Sequence, residues 1–131
     1  MNRWLFIGAV NGFLAVAAGA FAAHGLQAMV SERELAVFRT GADYHLIHAL
    51  AIVAAGLAAR ETGAERAGWA ACLFTAGIVL FSGSLYVLAL TGADAANGFA
   101  ASSGLVFLTP FGGLCLLAGW VMLAFAALKS G

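Results

Sequence analysis

Long apolar runs, each about as long as a bilayer is thick, constrain this chain more than any other feature. The first run covers residues 4–23, and three more follow it. A helix needs about 20 apolar residues to cross a hydrocarbon core of about 30 Å. We therefore predict an all-α protein, a single-domain four-helix transmembrane bundle. The predicted spans are at about residues 4–23, 40–59, 69–90 and 105–128.

The composition favours a membrane protein over a soluble one. Hydrophobic residues make up 63% of the chain and charged residues only 9%, whereas soluble domains carry about 25% charged residues. Because the formal net charge is zero, nothing indicates a nucleic-acid partner. Cys72 and Cys115 lie inside apolar runs, and no Cys-x-x-Cys pair indicates a thiolate metal site. We predict the lipid bilayer as the environment and no cofactor.

The first run has a rival interpretation as a signal peptide, with Ala20-Phe21-Ala22 as the cleavage motif. The run is longer than the 7–15 residues, roughly, of a signal-peptide core, which favours a membrane span. Gly8 and Gly12 form a GxxxG pair, which allows another backbone to approach closely. We expect this pair to pack within the bundle rather than to form a homodimer, and we expect Asn11 to bond to another helix.

Two helix starts are predicted from local signals. Ser31 and Glu34 match a capping box, so the second helix should begin near Glu32. Its first part should be amphipathic and interfacial, with Gly41 marking a bend before the span. In the fourth run, Thr109 is expected to cap a helix that has Pro110 at its first position. Residues 104–108 would then be extended or half-helical.

The charges at the span ends predict the orientation. Four spans place both termini on one side of the membrane. That side carries four basic residues, against two on the other side, so the positive-inside rule predicts cytoplasmic termini. The four are Arg3, Arg60, Arg66 and Lys129, and the two are Arg33 and Arg39.

One stretch concentrates the groups that are capable of chemistry. Imidazole and carboxylate groups suit a first-row metal, although the spacing here matches no metal motif. Proton transfer is a second hypothesis, but no ionisable residue continues the path toward mid-membrane. A third hypothesis is that His24, Tyr44 and His48 join the first two helices at the outer rim. The candidate polar cluster is His24, Asp43, Tyr44, His45 and His48.

Small polar residues inside the spans are candidates for lining the bundle. Cys72, Thr75, Val79, Ser82 and Tyr86 follow one another at helical spacing, which predicts one inward face of the third span. No nucleophile-and-base pair and no phosphate loop is present, so the residues favour a non-enzymatic role. The candidate lining residues are Asn11, Thr75, Ser82 and Tyr86.

Several motifs, in this order, resemble a small bacterial inner-membrane family catalogued as domain-of-unknown-function family 423. The resemblance covers almost the whole chain, and the order of the short motifs makes it specific. The motifs are Gly19-Ala-Phe-Ala-Ala-His-Gly-Leu26, Tyr44-x-x-x-His-Ala-Leu50, Phe81-Ser-Gly-Ser-Leu-Tyr86, and Thr109-Pro-Phe-Gly-Gly113 with Gly119-Trp120.

The resemblance implies four transmembrane helices, an uncleaved first span and a bacterial inner membrane, but no activity. It adds Ser84 and Thr109 to the candidate lining residues. Three departures stand out: Ala22 replaces an expected Gly, the stretch from 91 to 109 is longer than usual, and His45 replaces a neutral polar residue. The last departure weakens His45 as a metal ligand.

Three functional hypotheses follow. The favoured one is a structural or partner-binding bundle that associates with other membrane proteins or with further copies of itself. The alternatives are a small-solute carrier or channel and a metal site at the outer rim.

Overall fold

A computed structural model describes residues 2–62, 65–92 and 104–128, and these residues contain helices and turns but no strand. Four of the helical stretches are long and apolar enough to cross a membrane. The predicted all-α, four-helix transmembrane bundle is confirmed. The elements are α1 (Arg3–His24), a 3₁₀ turn (Leu26–Ala28), α2 (Glu32–Thr62), α3 (Glu65–Gly77), a π-helical segment (Ile78–Ser82), α4 (Gly83–Leu90) and α5 (Leu105–Leu128).

Side-chain caps begin the first two helices. Asn2 Oδ1 accepts hydrogen bonds from the backbone N–H groups of Trp4 and Leu5, at 3.1 and 3.3 Å. Ser31 Oγ accepts from the N–H of Glu34 at 3.3 Å, and Glu34 Oε2 accepts from the N–H of Ser31 at 2.8 Å. This reciprocal pair is the predicted capping box, and α2 begins at Glu32 as expected.

Helix α2 runs without a break through Gly41, where the sequence predicted a bend. Its 31 residues span about 46 Å at a rise of about 1.5 Å per residue, more than the hydrocarbon core. The absent side chain of Gly41 serves packing instead. A Cβ there would lie 3.0 Å from Tyr86 Cε1 and 3.3 Å from Leu85 Cβ, so glycine lets α4 approach α2 closely.

The expectation that a helix begins at Pro110, with Thr109 as its cap, is wrong. Helix α5 begins at Leu105, and Pro110 lies inside it rather than at its first position. A proline in a helix leaves the carbonyl four residues earlier without a backbone donor, here that of Val106. Thr109, the expected cap, instead bonds through its hydroxyl to Ser84 at 2.7 Å, which holds this first part of α5 against α4.

The π-helical segment explains why the predicted face of the third span is split. One extra residue in a turn rotates all later side chains by roughly 100° relative to a regular helix. Cys72, which precedes the segment, is exposed, and Val79, which lies within it, is 66% exposed. After it, Ser82 is fully buried and Tyr86 is partly buried. The five positions therefore do not share one inward face.

The bundle is organised around α2. Helix α1 packs almost entirely on α2, whereas α5 packs mainly on α3 and the π segment. Most buried apolar residues are alanines, while large side chains such as Phe13 and Leu117 point outward and are 73% and 65% exposed. Small residues inside and large ones outside are typical of membrane bundles, because lipid solvates the outer surface and close approach stabilises the interior.

Candidate functional site

His45 lies on the buried face of α2, between α1 and α4. Its Nε2 is 3.1 Å from Asn11 Oδ1, and its Nδ1 is 3.0 Å from Tyr86 Oη. Asn11 Nδ2 donates in turn to the carbonyl of Ile7 at 2.8 Å. Asn11 therefore bonds to a second helix, as the sequence predicted, and the chain of bonds joins α4, α2 and α1.

Donors and acceptors fix the direction of this chain. Asn11 uses its amide nitrogen on Ile7, so its Oδ1 accepts and His45 Nε2 carries the proton. His45 Nδ1 is then the acceptor of the neutral ring, and the Tyr86 hydroxyl donates to it. In the order Tyr86, His45, Asn11, Ile7, each group donates a hydrogen bond to the next, and none of them carries a charge. An apolar environment favours such a neutral, hydrogen-bonded chain.

His48 joins α2 to α5. Its Nδ1 lies 2.7 Å from the carbonyl oxygen of Tyr44 and must donate to it. Its Nε2 then accepts from the indole N–H of Trp120 at 3.1 Å. The Tyr44 ring stacks on His48 at a centroid distance of 5.8 Å, and the Phe74 ring lies 5.7 Å away. His48 is thus held in the tautomer opposite to that of His45.

Two further contacts complete the polar network. Ser84 Oγ donates to the Phe81 carbonyl at 2.8 Å, so the Thr109 hydroxyl, 2.7 Å away, donates to Ser84. Asn2 Nδ2 donates to the carbonyl of Gly56 at 3.1 Å and joins the beginning of α1 to α2. Side-chain bonds therefore connect all four spans, and most of them involve α2.

Two of the candidate lining residues join none of these contacts. Thr75 donates to the carbonyl of Ala71 in its own helix at 2.8 Å. Ser82 is fully buried in the π segment, and its Oγ forms no hydrogen bond among the described residues. The six candidates thus separate into Asn11 with Tyr86, Ser84 with Thr109, and two that are isolated.

The predicted polar cluster does not converge at one point. His45 and His48 are 6% and 5% exposed and face different helices, whereas His24, Asp43 and Tyr44 are exposed. The structure places the connection between the first two helices at His45 and Asn11, not at His24, Tyr44 and His48. Within the described ranges no group of three His, Cys, Asp or Glu residues could hold a metal ion.

A groove of about 520 Å³ opens beside His48, between α2 and α5. Phe81, Pro110, Leu117 and Trp120 form part of its apolar wall. His48 offers this groove no free ring nitrogen, because both nitrogens are already bonded. The groove therefore suits an apolar occupant, such as a lipid chain, better than a polar solute.

Sequence reasoning missed Trp120 as the partner of His48 and undervalued His45. The signal for His45 was present in the spacing of small residues along α2. Along α2, Gly41, Ala42, His45, His48 and Ala49 recur at intervals of three, four and seven, which places them on one face. Trp120 carried no comparable signal, because a tryptophan near a span end is more often an interfacial anchor.

Comparison with known proteins decides the family. The sequence matches the family model described as "Protein of unknown function (DUF423)" over residues 18–113. The chain belongs to this family. The resemblance inferred from the motifs is confirmed. No solved structure matches the chain.

Relatives match nearly the full length. The "UPF0382 membrane protein YwdK" of Bacillus subtilis is 42% identical over 130 residues, covering 98% of each chain. A "UPF0382 membrane protein" of Haemophilus influenzae is 41% identical over 130 residues, covering 98% of this chain and 96% of the relative. A Staphylococcus aureus relative with the same description is 38% identical over 129 residues, covering 98% of each chain. The four apolar helices and these relatives agree on a membrane protein.

Proposed function

We propose that this protein is a structural, partner-binding bundle of the bacterial inner membrane. One observation carries the proposal. The polar groups that a carrier would present to a solute are bonded to one another, from Tyr86 through His45 to Asn11. Groups paired in this way stabilise contacts between helices, because lipid offers them no alternative partner.

The two alternative functions draw less support. A small-solute carrier needs polar groups that face a common passage. Thr75 instead donates to the Ala71 carbonyl of its own helix, and Ser84 bonds to Thr109. A metal site needs three or four convergent donors. His45 and His48 use their ring nitrogens on other protein groups.

The outward face of α1 is the best candidate for binding a partner. Phe6, Phe13 and Val16 are 62%, 73% and 61% exposed on a helix that packs almost entirely on α2. A Cβ at Gly12 would meet no atom within 4 Å. A small residue among large apolar ones lets a second helix approach its backbone. The partner would be another membrane protein or a further copy of this chain.

Solute flux tests the structural role against the carrier. The protein is reconstituted in liposomes, and the entry of glycerol, urea and protons is followed by light scattering and by a trapped pH dye. The expected flux equals that of protein-free liposomes. A saturable flux that His45→Phe abolishes would support a carrier and contradict this proposal.

Site-specific photo-crosslinking in cells tests partner binding. A photoreactive amino acid at Phe13 on α1 should give a protein crosslink of defined mass. The matched control is Leu117 on α5, which is 65% exposed to lipid and should give none. Crosslinks to lipid alone at both positions would be against partner binding.

The same proposal places both termini in the cytoplasm. Arg3 and Arg60 line one cavity and so lie at the same end of the molecule, and the positive-inside rule favours that end as cytoplasmic. Fluorescent-protein fusions at either terminus should be bright, and alkaline phosphatase fused there should be inactive. Active phosphatase at both termini would reverse the orientation.

A further inference from the structure

A second groove, here called the α1–α3 groove, runs between α1 and the third span on the face away from α5. It consists of two cavities of about 750 and 560 Å³ and continues into a third, of about 690 Å³, between the start of α1 and the end of α2. They form one surface because Trp4 lines all three of them. The groove exists because α1 packs on α2 and makes little contact with α3.

One end of the groove is charged. Among the described residues that line it, Arg3 and Arg60 stand against one carboxylate, that of Glu65, so positive charge is in excess. The Arg3 guanidinium lies 5.1 Å from the Trp4 ring centroid, over its face, which positions it at the groove mouth. Trp69, also in the lining, is 61% exposed. Arginine and tryptophan together are typical of the headgroup level of a bilayer.

The other end of the groove is apolar and lies deeper in the membrane. Its lining includes Ile7, Ala76, Val79 and Leu80. Along the third span, Glu65 and Leu80 are separated by about 22 Å at a rise of about 1.5 Å per residue. A single leaflet contributes about 15 Å of hydrocarbon. The groove is thus long enough to accommodate an acyl chain from the headgroup inward.

We propose that the α1–α3 groove binds a phospholipid with an anionic headgroup. The headgroup phosphate contacts Arg3 and Arg60, and one acyl chain lies along Ile7, Ala76 and Val79. Charge complementarity selects this occupant: paired guanidinium groups match phosphate oxygens geometrically. A basic pocket between helices, continuous with an apolar trough, has the polarity pattern of a phospholipid.

Native mass spectrometry of the detergent-purified full chain tests the proposal. The protein is titrated with phosphatidylglycerol and, separately, with phosphatidylcholine of the same acyl chains. We expect retained phosphatidylglycerol to exceed phosphatidylcholine. In Arg3→Gln/Arg60→Gln the affinity for phosphatidylglycerol should fall roughly 25-fold, because each basic residue near an anionic group contributes a factor of roughly 5.

The matched control removes two charges from the opposite end. Arg33 and Arg39 are exposed, as are Arg3 and Arg60, so both double variants should fold with the melting temperature of the unmodified protein. Arg33→Gln/Arg39→Gln should keep the phosphatidylglycerol affinity within about twofold. An equal loss in both variants would mean that net charge, not the groove, attracts the lipid, and would overturn the proposal.

A third variant tests the acyl half of the site. Ala76→Phe places a ring in the apolar trough and leaves both arginines in place, so retention of phosphatidylglycerol should fall. Glycerol 3-phosphate, which has the phosphate without the chains, should not displace the lipid at equal concentration. Displacement by glycerol 3-phosphate would contradict a lipid site. The proposal is also contradicted if the unmodified protein retains no lipid but forms dimers, and Ala76→Phe abolishes those dimers.

Discussion

At the scale of single residues, neighbouring groups rather than intrinsic chemistry decide what the two buried histidines do. His45 donates through Nε2 and accepts through Nδ1, whereas His48 donates through Nδ1 and accepts through Nε2. Each ring therefore forms two hydrogen bonds without a charge. A residue type that is often read as a ligand or proton carrier works here as a connector between helices.

Replacing His45 should loosen three helices at once. His45→Phe removes both interhelical bonds and leaves Asn11 Oδ1 and the Tyr86 hydroxyl without these partners, at a cost of about 1–3 kcal/mol. His45→Gln should recover at least half of this loss, because an amide can accept from Tyr86 and donate to Asn11. Unfolding in a graded denaturing detergent, followed by circular dichroism, measures both changes.

The control for this prediction is His24, which is exposed. His24→Ala should leave the unfolding midpoint unchanged. Equal effects of His24→Ala and His45→Phe would contradict a connecting role for His45.

Two buried serines should respond oppositely to the same substitution. Ser84→Ala removes the acceptor of the Thr109 hydroxyl and should destabilise the protein by about 1 kcal/mol. Ser82 Oγ is buried and has no hydrogen-bond partner among the residues that the structure describes, so Ser82→Ala should be neutral or stabilising by up to about 1 kcal/mol. Melting temperatures of the two variants and of the unmodified protein, measured in one detergent, test this prediction. A larger loss from Ser82→Ala would show that its hydroxyl has a partner.

The residue identities predicted part of this site. Asn11 in an apolar run required a partner, since a lone amide in lipid is costly, and the partner is present in His45. The assignment of roles failed, because whether His24 or His45 faces a neighbouring helix depends on rotation about the helix axis. Helix rotation is set by packing against other helices, which no single stretch of sequence contains.

At the scale of elements, absent side chains set how closely the helices pack. A Cβ at Gly112 would lie 2.8 Å from Phe81 Cα, and one at Gly119 would lie 2.6 Å from Phe74 Cε1. These glycines let α5 touch the third span. The GxxxG pair on α1 is used only in part: a Cβ at Gly8 would lie 3.0 Å from the backbone nitrogen of Val53, whereas Gly12 is open.

Adding one methyl group at two glycines should separate these roles. Gly112→Ala meets the backbone of Phe81, which cannot rotate away, so the helices must move apart at a cost of about 1–3 kcal/mol. Gly12→Ala meets nothing within 4 Å and should be neutral or slightly stabilising, since alanine is the better helix former by about 1 kcal/mol. Thermal unfolding in detergent compares the two. Equal melting temperatures would show that α5 does not pack at Gly112.

The elements themselves were predicted where the signal was local. The capping box gave the start of α2, because its two hydrogen bonds lie within four residues. The helical conformation of residues 105–109 ahead of Pro110 and the split face of the third span were missed. Each depends on a departure from regular helix geometry, a proline inside α5 and a π segment before α4, that is tolerated through contacts with other helices.

At the scale of the whole molecule, α2 holds the bundle together. It bonds to α1 through His45, to α4 through the same ring, and to α5 through His48. Apolar length and composition predicted the four spans, because crossing a bilayer requires them. The order of contacts was not predictable in this way, since any of the four apolar helices could have been central.

This arrangement makes the stability of the bundle depend on neutral histidines. Protonation would give each ring a second N–H where it now accepts a bond from Tyr86 or Trp120. A doubly protonated ring cannot accept that bond, and a free imidazole titrates near pH 6.5. The melting temperature in a non-ionic detergent should therefore fall between pH 7.5 and pH 5.

Variants identify which histidines cause the fall. The comparison is with His45→Gln/His48→Gln, which should lose most of the pH dependence while being less stable at pH 7.5. His24→Gln should retain the full dependence, because that side chain is exposed. The test compares three profiles of melting temperature against pH, for the unmodified protein and the two variants, in the same detergent. If the double variant and the unmodified protein lose the same number of degrees, protonation of these two rings does not open the bundle.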